Sequence, residues 1–141
     1  MARTSRPPVI IASETLDRLE RLAEAAMARN PALAERLLTE LARARTLPQA
    51  RMPADAAGIG SAVTFRDEST GREQSVVLAW PEDADIAAGR ASVLTPIGVA
   101  LIGLRTGARF TWETRAGETR ELTVLAVGPA AWAGRRAMTT S

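Results

Sequence analysis

ASVLTPIGVALIGLRTG, residues 91–107, is the stretch whose reading decides the fold. Ser92-Val93-Leu94 is strand-like, Thr95-Pro96 breaks it, and Ile97, Ala100, Leu101 and Leu104 then recur on one helix face. Proline suits the first helical turn, because the N–H it lacks would go unpaired there and its fixed φ is already helical. Gly103 and Gly107 suit the exit, where a left-handed residue closes the helix. Such a strand-to-helix joint needs a sheet to pack on.

The flanking residues supply one. Residues 61–66 alternate as a half-buried strand, residues 67–72 hold turn formers, and residues 74–80 form a second strand, so the pair reads as a hairpin. Residues 81–89 suit a loop with one helical turn ending at Gly89, with Glu82, Asp83 and Asp85 as helix-capping carboxylates. After the joint come a strand over 108–114 with Phe110 and Trp112, a turn over 115–118, and a last strand over 120–127. Antiparallel hairpins with a helix on one face make an α+β domain over 61–128.

Upstream the period changes. Val9-Ile10-Ile11 is a short extended segment. Ser13 offers a helix cap, and Leu16, Leu19, Leu22, Ala23 and Ala26 keep helical spacing, which predicts an amphipathic helix over 14–28. Asn30 can cap a second helix with Pro31 at its first position, and Leu33, Leu37, Leu38, Leu41 and Ala44 carry it to about Arg45. The two form a short antiparallel helical hairpin within residues 1–50, with Met27, Arg29 and Asn30 at its tip. Residues 46–60 are rich in Pro and Gly, with 51–60 as the linker between the two units. Residues 129–141 read as a flexible tail in which Trp132 can dock.

Composition removes whole classes of chemistry. The 141 residues contain no Cys, His, Tyr or Lys, and all eighteen basic residues are arginine. That excludes disulfides, thiolate or imidazole metal sites, and the usual general base. No serine has a His or Lys to activate it, and no phosphate loop is present. The expectation is therefore no enzyme, no cofactor and no metal. The pI near 10.8 overstates the charge, since the net value is only +2 and the charges are interspersed. Arg43, Arg45 and Arg51 read as solvated arginines, so direct nucleic-acid binding is not the expectation. No apolar run reaches the length of a membrane span. A cytoplasmic monomer is expected. What remains is surface, and the chain reads as a docking protein.

The order of these motifs resembles a known family. Residues 83–107, with Asp83-Ala-Asp-Ile, then Gly89, then ASVLTPIGVALIGLRTG, resemble the C-terminal domain of the Gre transcript-cleavage factors. The likeness extends over residues 60–127. PPVIIASETLDRLERL and Arg51-Met52-Pro53-Ala54-Asp55 resemble the Rnk-type regulators of nucleoside diphosphate kinase more closely still. The resemblance implies an FKBP-like domain carrying a short antiparallel coiled coil, and RNA polymerase as the partner, met at the rim of its secondary channel. In Gre factors two acidic residues at the coiled-coil tip hold the catalytic Mg²⁺ and promote transcript cleavage. Here the turn Ala26-Met-Ala-Arg-Asn-Pro31 has no carboxylate, so that activity is expected to be lost. By position, the family's docking segment falls on Leu94, Thr95 and Pro96. Two other readings stay open from the residues alone: a module or homodimer for another partner, and a peptidyl-prolyl isomerase, which would need an aromatic pocket from Phe65, Trp80, Phe110, Trp112 and Trp132.

Overall fold

The computed structural model describes residues 7–113 and 117–129. Of the expected flexible tail, residues 130–141 lie outside the described residues, while Pro129 belongs to the last strand, which runs to it rather than ending at 127. The chain runs β1 (Ile10–Ala12), α1 (Ser13–Ala26), α2 (Pro31–Ala42), β2 (Arg45–Leu47), β3 (Ser61–Asp67), β4 (Arg72–Ala79), β5 (Arg90–Ser92), α3 (Pro96–Leu101), β6 (Arg109–Glu113) and β7 (Thr119–Pro129). The architecture is α+β, with a mostly antiparallel five-stranded sheet in the order β5-β4-β3-β7-β6.

One pair in that sheet departs from the antiparallel expectation. β5 runs parallel to β4, with Val77 opposite Arg90 and Ala79 opposite Ser92. The intervening loop is two 3₁₀ turns, Pro81–Asp83 and Ile86–Ala88, and it carries the chain back before it re-enters the sheet. Gly89 sits at φ 78°, the left-handed conformation that ends the second turn. The carboxylates of this loop do not cap: no side-chain cap bond forms at either turn. Instead the Asp85 and Arg90 backbones exchange two hydrogen bonds of 2.9 Å each. This occupies the outer edge of β5, which a partner strand could otherwise pair with.

The two helices form where their periodicity predicts, with two corrections at the first. Ser13 does not cap it. β1 passes straight into α1, Ala12 takes the cap position without a side-chain bond, and Ser13 is already helical. The helix ends at Ala26, two residues early, in the turn that leads to α2. Asn30 does cap α2: its side chain accepts from the Leu33 N–H at 3.4 Å, with Pro31 at the first position. That helix stops at Ala42, because Arg45–Leu47 is drawn into a parallel pair with β1.

The stretch between hairpin and sheet is partly built in. Ala57 is fully buried, donates to Leu104 O at 2.8 Å and accepts from Gly103 N at 2.7 Å. Gly103 O in turn accepts from Ile10 N at 3.0 Å. Gly103 has φ 81°, and a Cβ there would lie 2.4 Å from Val9 Cγ1. A glycine is therefore needed twice over, for its backbone and for the approach of residues 9–10. Leu19, Ala23, Leu37 and Leu41 of the hairpin share one buried cluster with Val63, Phe65, Leu78, Leu101 and Leu122 of the sheet side.

Candidate functional site

The segment 92–98 forms a tightly bonded corner. Thr95 precedes α3, and its hydroxyl both donates to Ser92 O at 2.7 Å and accepts from Gly98 N at 3.0 Å. The Ser92 hydroxyl accepts from Leu94 N at 2.9 Å. Val93 is buried and its N–H reaches Ala79 O at 2.9 Å, so the corner is tied to β4. Gly98 presses on this backbone: a Cβ would lie 2.3 Å from Ser92 O and 2.7 Å from Val93 Cα. Pro96 is exposed at the outside of the corner, while Leu94 and Ile97 are half-buried against the core. Helix α3 is shorter than its apolar pattern predicts and ends at Leu101; Ile102 and Leu104 are buried beyond it all the same.

At the hairpin tip Met27 is half-buried, and Ala28, Arg29 and Asn30 are exposed. The flanking carboxylates, Glu24 and Glu35, are exposed on the two arms. Among the described residues no group of acidic side chains converges as metal ligands would. Of the aromatic residues, Phe65 and Phe110 are buried in the core. The side chain of Trp112 and the whole of Trp132 lie outside the described residues.

Sequence reading alone did not find one contact. The Arg18 guanidinium of α1 lies 3.9 Å from the centre of the Trp80 ring and pairs with Glu82. The cation sits on the negative face of the ring while its charge meets a carboxylate. Its partners are more than sixty positions away in sequence, so helical spacing showed only that Arg18 lay on the outer face. A second such link joins Glu14 to Gln49, whose N–H it accepts at 2.8 Å. That bond holds the Glu14 carboxyl below its usual pKa.

Residues 52–129 match the family described as transcription elongation factor GreA/GreB, C-terminal, and residues 7–47 match the Rnk N-terminus. This chain belongs to the Rnk type of the GreA/GreB family. The regulator of nucleoside diphosphate kinase of Escherichia coli K12 is 34% identical over 121 residues, 86% of this chain and 89% of that protein. A Paracoccus pantotrophus protein described as an uncharacterised protein in the napC 3′ region is 62% identical over 90 residues, 61% of this chain and 90% of that protein. The solved GreA/GreB elongation factor of Nitrosomonas europaea has a TM-score of 0.67 at 31% identity, covering 87% of this chain and 99% of that one. Against this Rnk-type chain the curated relatives are named as a regulator and, over part of their length, as elongation factors. No helix of the described residues is long and apolar enough to cross a membrane.

Proposed function

We propose that this chain is a transcription regulator that binds RNA polymerase at the rim of its secondary channel and does not promote transcript cleavage. The observation that carries the reading is the tip: from Ala25 to Ala34 the hairpin turn contains no carboxylate, and its one charged side chain is Arg29. A Gre-type tip recruits Mg²⁺ through acidic oxygens, the ligands this cation requires. A cationic tip repels Mg²⁺. The family fold remains, so docking is retained and chemistry is not.

In this reading the sheet with α3 is the FKBP-like docking domain over 61–128. The helices within 1–50 are the short coiled coil, and 51–60 joins them. Leu94, Thr95 and Pro96 meet the polymerase, with Pro96 outermost. Met27, Arg29 and Asn30 face the channel and set competition with other channel factors. The protein acts as a cytoplasmic monomer without a cofactor. Its interior argues against an isomerase, because both phenylalanines are core residues.

The test is co-sedimentation with core polymerase, run beside an RNA-cleavage assay on backtracked complexes. Wild-type chain binds and leaves the RNA intact. Pro96→Glu loses at least tenfold in affinity with an unchanged circular-dichroism spectrum, and Arg29→Ala still binds. A stable homodimer that ignores polymerase, or cleavage above background, overturns the reading. If Pro96→Glu unfolds the chain, Pro96 is structural and its assignment to the docking edge fails.

A further inference from the structure

A cavity of about 210 Å³ lies where the helical unit meets the sheet. Its lining draws on β1, on the first turns of α1, on residues 49–59 and on the start of β3. Ile11, Leu19 and Ile102 belong to it and are buried. The volume exceeds the roughly 150 Å³ that holds benzene in a protein interior. It falls below the roughly 300 Å³ at which drug-sized sites begin. The room is that of a single small ring with one substituent.

Two properties of the lining define the occupant. The first is charge. None of the described residues that line the cavity is charged. A charged ligand would lose hydration there with no counter-charge to offset the loss. The Glu14 carboxylate accepts from the N–H of Gln49, a lining residue, at 2.8 Å. Negative charge therefore stands next to the cavity and repels an anion further. The second property is unused hydrogen-bonding capacity. Ser61 Oγ accepts from the Gly58 N–H at 2.9 Å, and among the described residues its own O–H meets no acceptor. Thr15 Oγ1 donates to Ala12 O at 3.0 Å, which leaves its lone pairs open. The Gln49 side-chain amide has no partner among the described residues, since only its backbone N–H is engaged. The cavity thus offers a donor, an acceptor and one group that is both, among apolar side chains.

We propose that this cavity is a binding site for a small neutral amide carried on an apolar body. The ligand's carbonyl accepts from Ser61 or Gln49, and its N–H donates to Thr15 or Gln49. Its apolar body removes Ile11, Leu19 and Ile102 from water. A site that pairs with a polar group discriminates against an isostere lacking it. The bound molecule touches β1 and α1 together with residues 49–61, so it braces the helices against the sheet. The proposal does not depend on the polymerase reading.

The probe is benzamide, with benzoate and toluene as ring-matched controls, titrated into the full-length protein and followed by amide and methyl chemical shifts. Saturable shifts are expected at Ile10, Ile11, Ile59 and Ile102, with a dissociation constant of about 1 mM or tighter for a ligand of this size. Benzoate and toluene bind at least tenfold more weakly. Gln49→Leu, at an exposed position whose backbone N–H is kept, weakens benzamide at least threefold with an unchanged circular-dichroism spectrum. Benzamide also raises the thermal midpoint of the wild type, and raises that of Gln49→Leu less. No saturable shift in this range, shifts confined to other residues, equal binding of either control, or undiminished affinity in Gln49→Leu overturns the proposal. If Gln49→Leu unfolds the chain, Gln49→Ala replaces it and must weaken benzamide by the same factor.

Discussion

Thr95 is held from both sides. Its hydroxyl donates to the carbonyl that ends β5 and accepts from an N–H in the first turn of α3. Thr95→Ala removes both bonds and should cost about 1 kcal/mol, the usual value of a lost cap. Thr95→Ser keeps the hydroxyl and should recover most of it, which urea unfolding of the two variants can check. Gly98 is the stricter residue. An added methyl would strike the Ser92 carbonyl and the Val93 backbone, atoms that cannot rotate away. Gly98→Ala should therefore destabilise by about 1–3 kcal/mol through overpacking, despite alanine's better helix propensity. A stability equal to or above wild type in the same unfolding experiment would show that the corner yields. The proline start of α3 was legible in the sequence, whereas the threonine cap emerges only in the structure. The squeeze on Gly98 was not, because it depends on how closely α3 returns to its own preceding strand.

At the scale of elements, the hairpin illustrates which signals are local. Its two apolar stripes, the Asn30 cap and Pro31 at the first position are written in adjacent residues, and each forms as expected. Its ends are decided elsewhere. β1 runs into α1 before Ser13 can cap it, and pairing with β1 takes Arg45 out of α2. The energetic weight of the two kinds of signal differs. Leu37 is fully buried in the cluster shared with the sheet, so Leu37→Ala should cost about 2–5 kcal/mol. Asn30→Ala removes one cap bond at an exposed turn and should cost about 0.5–2 kcal/mol. If thermal unfolding shows a cooperative single transition in wild type and in Leu37→Ala, hairpin and sheet melt together. Two separated transitions would show that the shared core is not energetically continuous.

For the whole molecule, charge placement sets the response to pH. Among the described residues three carboxylates sit below their ordinary pKa: Asp67, held first by the Ser69 hydroxyl; Glu68, by the Thr123 hydroxyl and Arg66; and Glu14, by the Gln49 N–H. A carboxyl depressed by folding contributes stability above its unfolded pKa and loses it as pH falls through the folded one. Stability should therefore decline as pH drops below about 4, where free carboxyls begin to protonate. Between about pH 5 and 7 it should be flat, because there is no histidine to titrate. Urea midpoints across that range measure this; a marked slope near pH 6 would contradict it.

The sequence by itself determined the α+β class, the two amphipathic helices, the strand-to-helix joint at Thr95-Pro96 and the absence of acid between those helices. All of these rest on periods, caps and residue types that act over a few positions. Tertiary structure alone decided the parallel entry of β5, the burial of Ala57 in the presumed linker and the seating of Arg18 on Trp80. Each brings together residues far apart in the chain, where packing and hydrogen bonding, not local preference, choose the partner.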